Sequence, residues 1–302
     1  DSIFGLDIDS QAVEVTKLSL LLKVLEGERQ LKIYQKHILP DLGSNIKCGN
    51  SLVESNITRY GASSAELEAV NPFDWAEEFK EQISAGGFDV IIGNPPYIRN
   101  QLLNKSSSEY LVAEYQIAKG NYDIYGLFVE RGLKLLSKRG RLGYILPNKF
   151  FTSNYGDELR KLLAEKPQVE RIVNFEDAQL FKKASTYTAL LFVVPTKQDT
   201  VEYTGLGKEF QSGGVTSVKV ALSNPLQFSE LKLAKGGQQW QFAEGFGASL
   251  IKRLGKDYDL FGDLKPTPEV FQGLKTSADK EYLVTVKYRK DGLIVGENGR
   301  GQ

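Results

Sequence analysis

Asn94, Pro95, Pro96 and Tyr97 follow one another in the chain and together offer two oxygen acceptors and an aromatic face. The Asn94 side-chain carbonyl and the Pro95 backbone carbonyl can accept both N–H groups of a planar exocyclic amine, such as N6 of adenine. Held in this way, the nitrogen lone pair is drawn out of conjugation and can attack an electrophilic methyl group. Tyr97 supplies a surface for stacking. A base everted from a duplex needs both kinds of contact, because it has lost its neighbours in the helix. No ionised base is required at the start. A proline-rich strand exit without chemistry is the alternative that these four residues alone leave open.

The elements that must position this turn can be read on either side of it. Residues 88–92 form a short apolar run, stopped by Gly93 and the two prolines, and predict a buried parallel strand ending in a rigid corner. Two consecutive prolines fix φ and remove two backbone donors, so Asn94 and Tyr97 sit on a stiff loop at the strand's C-terminal end. Open α/β sheets bind their ligands at that end. Upstream, residues 3–9 read as a strand ending in Asp7 and Asp9, with Ser10 as N-cap of a helix over 11–26 whose core face is Val13, Leu18, Leu21, Leu22 and Leu25. Residues 46–52 read as a further strand and turn, and 55–81 as a helical insertion packed down by Phe73 and Trp75. Residues 98–119 look polar and irregular, a mobile loop and helix over the site. A helix opens near Asp123 and runs to about 137. Residues 139–141 then turn into a strand over 142–148, and a helix containing Leu159, Leu162 and Leu163 follows. Strands over 169–175 and 186–193 have no helix between them, which predicts an antiparallel hairpin at the sheet's edge.

Asn94-Pro95-Pro96-Tyr97 after an apolar strand resembles the catalytic motif of S-adenosylmethionine-dependent amino-methyltransferases, above all DNA adenine-N6 methyltransferases of the gamma type. The wider chain resembles the type IIG restriction-modification family, in which one polypeptide carries methyltransferase and target-recognition parts, often with a nuclease domain upstream. The resemblance implies an α/β fold, a Rossmann-like methyltransferase sheet with a reversed last strand. It also implies S-adenosyl-L-methionine as cofactor and double-stranded DNA as partner. In that family Asp7 stands where a carboxylate takes the cofactor ribose, and Ile8 where an apolar side chain lies against the adenine ring. Asn50, with Ser51 beside it, stands where the cofactor's adenine is read, and Asn94 adjoins the cofactor as well as the target. Helix capping by Asp7 and an ordinary turn at Asn50 are the competing readings. Asp123 and Tyr125 adjoin both pockets in the family, with capping again the alternative for Asp123. Asn148 and Lys149 belong to a P-N-K-F-F segment at the ligand edge. Phe181 is placed to form the second face of the base slot, and Lys182 or Lys183 to meet a phosphate beside it.

Composition narrows the field. Lys plus Arg equals Asp plus Glu, so nucleic-acid contact must come from local basic patches rather than a global field. One cysteine, Cys48, and one histidine, His37, give no disulfide framework, zinc site or histidine-based catalysis, and a reduced cytosol fits. No segment is long and apolar enough to span a membrane. Methionine is absent, and the chain opens directly in a strand, which reads as an internal segment of a longer protein from which methionines have been dropped. The Gly-rich loop that cradles the methionine end of the cofactor is missing. Gly205 with Gly207 and Gly299 with Gly301 fall too late to supply it. The expected division is a catalytic domain over 1–237, in which 201–203 and 215–220 are β-like, and the start of a target-recognition region over 238–302. Protein glutamine methylation and a non-catalytic DNA-recognition module are the alternative functions.

Overall fold

The computed structural model describes residues 3–27, 41–165, 168–181, 186–207, 210–211, 215–223, 229–234, 236–240, 242, 284–290 and 293–298. In chain order its elements begin with β1 (Gly5–Asp7), α1 (Ser10–Gly27) and β2 (Ile46–Cys48). Next come α2 (Ser64–Val70), α3 (Trp75–Glu78), α4 (Lys80–Ser84), β3 (Phe88–Gly93), α5 (Lys105–Glu114), α6 (Ile124–Leu135) and β4 (Leu136–Pro147). The series continues with α7 (Asp157–Glu165), β5 (Val169–Asn174), β6 (Thr188–Val193), β7 (Val201–Gly205), α8 (Val215–Ser223) and β8 (Ser229–Leu231). A separate unit, 243–302, contains the antiparallel hairpin β9 (Val284–Lys290) and β10 (Leu293–Asn298). The expected helix over 248–254 lies outside the described residues.

The main sheet runs β3-β4-β6-β5-β7-β8. β3 and β4 are parallel, as are β5 and β7, while β6 runs against both its neighbours, β4 and β5. The hairpin of β5 and β6 is therefore real, but it lies inside the sheet rather than at its edge. β7 and β8 extend the sheet beyond it, because β5 is apolar enough on both faces to be covered: Val169, Ile172 and Val173 are fully buried. The core is continuous from Leu127 and Val129 on α6, through Leu142 and Leu146 on β4, to Leu191 on β6 and Leu159 on α7.

Several expectations are corrected. β3 is parallel as expected but not buried: it is an edge of the main sheet, with Val90 68 % and Ile92 81 % exposed. β1 pairs only with β2, in parallel, and makes no ladder with β3. The two sheets are tied at one end by a ring cluster in which Phe4 meets Phe79 at 5.6 Å and Phe88 at 5.9 Å, with Phe73 and Trp75 packed behind. The aromatic residues of the 55–81 insertion thus do pack it down. The apolar side of α1 is only partly covered: Val13 is buried and Leu21 and Leu25 are half-buried, while Leu18 and Leu22 are exposed. Asp9 rather than Ser10 caps that helix, its carboxylate accepting from Gln11 N at 2.8 Å.

Residues 98–119 hold the expected helix between loops, but that helix is packed rather than loose. α5 is a regular helix whose Asn104 side chain caps the Ser107 N–H at 2.9 Å, and Ser106, Ser107, Tyr110 and Leu111 on it are buried. β4 begins at Leu136 directly after α6, so residues 139–141 are strand with an irregular register against β3, not a turn. Residues 215–220 read as β-like but form the start of α8, with Val218 half-buried against the Val173, Phe175 and Leu206 cluster.

Candidate active site

The C-terminal ends of β1, β2 and β3 converge on a cavity of about 830 Å³ between the two sheets. Asp7, Ile8, Asn50, Ser51, Asn94, Pro95 and Pro96 all line it. α5 and α6 close it from the other side with Ser107, Leu111, Ile124, Phe128 and Arg131, none of which the sequence singled out. Their only sequence signal was membership of helices flanking the motif.

Each predicted cofactor residue has a local structural job as well. Asp7 is exposed, and one of its carboxylate oxygens accepts from Asp9 N at 2.9 Å, which leaves the other for a hydroxyl. Asn50 makes the turn bond to Leu52 N at 3.0 Å, so its ordinary role as a turn residue is realised at the wall of the cavity. The Ser51 carbonyl accepts from the Trp75 indole at 3.0 Å. Gly205 and Gly207 are remote from all this. A Cβ on either would meet the Glu176 carboxylate, at 2.4 and 2.6 Å, so these glycines make room for a side chain and not for a cofactor.

Around the proline corner, Pro95 is buried, Asn94 and Pro96 are exposed, and Tyr97 is half-buried. The Tyr97 hydroxyl lies 3.0 Å from Asn94 Oδ1 and 3.3 Å from the Ile145 carbonyl, so its one proton is offered to two acceptors. Its ring meets Tyr125 edge to face at 6.3 Å. Burial raises the Tyr97 hydroxyl above the ordinary tyrosine pKa. Backbone bonds from Ile124 N to Ile98 O (2.8 Å) and Asn100 N to Tyr122 O (3.2 Å) fasten the strand leaving Tyr97 to the start of α6.

Asp123 sits at the N-cap position of α6 but makes no capping bond. Its carboxyl is raised above the usual range by burial, against the opposing pull of the Tyr125 hydroxyl and the charges of Arg99 and Lys149. The folded state thus holds that proton more tightly than the unfolded chain. The resulting stabilisation is present below the ordinary carboxylate pKa and is lost as pH rises through the raised one. Asp123→Asn cannot ionise, so it should gain stability relative to the parent as pH rises from about 3 to about 7. Denaturant midpoints across that range check this, and a difference that stays flat would rule out burial as the dominant influence.

The remaining predicted residues divide. Asn148 spends its amide N–H groups on Asn174 Oδ1 and the Glu176 carbonyl, both at 3.0 Å, so it braces the end of β5 rather than facing a substrate with free donors. Lys149 is exposed and adjoins Asp123. Phe181 is exposed and does not line the cavity, while Lys182 and Lys183 lie outside the described residues.

An α/β sheet whose parallel strands are interrupted by the reversed β6 beside β4, with the edge strand β8 also antiparallel to β7, and a cavity at the ends of β1 to β3, is the Rossmann-like sheet of the S-adenosyl-L-methionine-dependent methyltransferase class. Solved structures show the same fold: the DrdV–DNA complex (17 % identity, TM-score 0.52, 79 % of this chain and 24 % of that one) and a nuclease-deletion mutant of the Type ISP restriction-modification enzyme LlaGI with a DNA substrate mimic (15 %, 0.51, 80 % and 21 %). The family model described as Eco57I restriction-modification methylase matches residues 1–181, and the chain belongs to that family. Among curated relatives, the Type II restriction enzyme and methyltransferase RM.Eco57I of Escherichia coli is 32 % identical over 299 residues, covering 98 % of this chain and 28 % of its own length. Type II methyltransferase M.BstVI of Geobacillus stearothermophilus is 27 % identical over 222 residues, covering 70 % and 39 %. The chain thus spans between a quarter and two fifths of the length of these relatives. S-adenosyl-L-methionine is the cofactor of the family. The cavity suits it, since a carboxylate (Asp7), an apolar side chain (Ile8) and the amides of Asn50 and Asn94 all line it.

Proposed function

We propose that this chain is the catalytic part of a restriction-modification enzyme that methylates N6 of an adenine everted from duplex DNA. In this reading residues 1–237 are the methyltransferase domain and 238–302 open the target-recognition region. A nuclease joined to the same polypeptide, as the name of the Escherichia coli relative describes for that protein, fits the reading. The observation that carries it is the exposed Asn94 side chain lining the cavity, its acceptor oxygen bonded, among the described residues, by one tyrosine hydroxyl that has a second acceptor waiting.

When bound, S-adenosyl-L-methionine supplies the electrophilic methyl carbon. Asp7 and Asn50 orient the cofactor's nucleoside end. Asn94 Oδ1 and the Pro95 carbonyl accept hydrogen bonds from the two N6 N–H groups of the target adenine, after the Tyr97 hydroxyl has turned wholly to the Ile145 carbonyl. The Tyr97 ring then stacks on the base. Because the prolines pre-set the backbone, alignment of amine and methyl carbon costs little further ordering. The test is to incubate the full-length protein with methyl-labelled cofactor and either duplex DNA or a protein extract. Label recovered as N6-methyladenine is expected. Label in protein glutamine, or none in either, would overturn the reading.

A further inference from the structure

We propose that Arg99, aided by Lys149 and Tyr155, grips a phosphate of the target strand flanking the everted adenine. This rests on the adenine-methylation reading above and adds to it a backbone contact.

Arg99 has extended dihedrals (φ −87, ψ 149) and forms an antiparallel bridge with Asp123. In extended chain, successive side chains point to opposite sides. Ile98 lines the cofactor cavity, whereas Tyr97 and Arg99 turn away from it and meet Tyr125 and Tyr155. The motif thus has a cofactor side and a target side, and Arg99 shares the target side with the stacking residue. Its guanidinium lies 5.5 Å from the centre of the Tyr155 ring, which is itself exposed. That stacking orients the planar fork without using its N–H donors.

Neither Arg99 nor Lys149 makes an ion pair with a described residue; Asp123, whose carboxyl feels the charge of both, bonds instead with the Tyr125 hydroxyl. Two exposed cations therefore adjoin one half-buried carboxylate. In a chain of zero net charge, such a local surplus is what an anionic backbone would feel. A guanidinium with open donors suits the two non-bridging oxygens of a phosphodiester. Its attachment two residues after Tyr97 puts the contact beside the base slot.

The experiment uses the full-length protein and a duplex carrying the adenine that it methylates, mapped by sequencing modified plasmid. Dissociation constants are measured over a salt series for the parent, Arg99→Gln and Arg99→Lys. Arg99→Gln should lower the salt slope by about one. Its deficit in affinity should therefore shrink about three- to fourfold between 50 and 200 mM salt. Arg99→Lys should keep the parent's slope. Replacing one flanking phosphate by a neutral methylphosphonate should weaken the parent and leave Arg99→Gln unaffected. An unchanged slope for Arg99→Gln, or equal weakening of both proteins by each methylphosphonate, overturns the phosphate contact while leaving the proposed reaction intact. Absence of N6-methyladenine on any duplex overturns the reaction itself.

Discussion

Asn94→Ala should lower the rate of methyl transfer by about 10²- to 10³-fold, the range found when one preorganised hydrogen-bonding group is removed from a reacting centre. Affinity for DNA should change little. Asn94 is exposed, and its side chain does nothing for the fold beyond accepting the Tyr97 hydroxyl, which retains the Ile145 carbonyl as an alternative acceptor. The corner keeps its shape through Pro95, which is buried, and Pro96, so the variant differs from the parent chiefly by one acceptor oxygen. Asn94→Asp keeps an acceptor at that place and should retain more activity than alanine. Single-turnover methylation at saturating cofactor, alongside equilibrium DNA binding, separates the two effects. Equal rates in parent and alanine variant would remove Asn94 from the reaction, and a matching fall in DNA affinity would recast it as a binding residue.

The stiff corner that carries the proposed chemistry was legible because it rests on covalent constraint. Two prolines after an apolar run dictate a stiff corner whatever surrounds it, and Asn94 and Tyr97 ride on that corner. The same holds for the reversed strand: residues 169–174 and 188–193 are joined by a segment with no helix pattern of useful length, which points to antiparallel pairing. Where the hairpin lies in the sheet was not legible, because β6 enters between β4 and β5 through contacts far apart in sequence. Burial failed for a related reason. Val90, Ile92, Leu18 and Leu22 have the side chains of a core, but exposure is set by what packs against an element and not by the element's own pattern. In α8 a β-like run yielded to a helix that half-buries one residue, Val218, and β-propensity of this kind is readily overridden by context. Tyr97 and Tyr125 come together through a bridge between residues 99 and 123 that no local pattern announces.

Arg160 gave no such signal either, yet the largest effect on stability is expected there. Its side chain is only 1 % exposed, and it donates to the carbonyls of Phe150 (2.5 Å), Ser153 (2.7 Å), Gly237 (2.8 Å) and Gln238 (2.9 Å), besides pairing with Asp157. It thus holds the turn after β4, which carries Lys149, against the strap over 236–240. Trp240 on that strap is buried on Phe150 and Phe151, and its backbone N–H reaches the Phe151 carbonyl at 2.7 Å. Gly156 leaves room for the guanidinium, since a Cβ there would stand 2.3 Å from the Phe150 carbonyl oxygen and 2.7 Å from Arg160 Nη1. Arg160→Met keeps much of the volume but orphans these acceptors, each of which costs about 1–3 kcal/mol when left buried without a donor. Relaxation and entering water reduce the sum, so a loss of about 3–5 kcal/mol is expected, as for other broken buried charge networks. Arg160→Lys should recover little, because one ammonium cannot reach carbonyls on two separate segments. The strap provides its own reporter. With Trp75→Phe, Trp240 is the sole tryptophan of residues 1–302, and the emission of that segment should shift to the red in Arg160→Met under conditions where it is still folded by circular dichroism. Unchanged emission together with an unchanged denaturation midpoint would mean that the strap holds without Arg160, through the Trp240 and Phe242 rings alone.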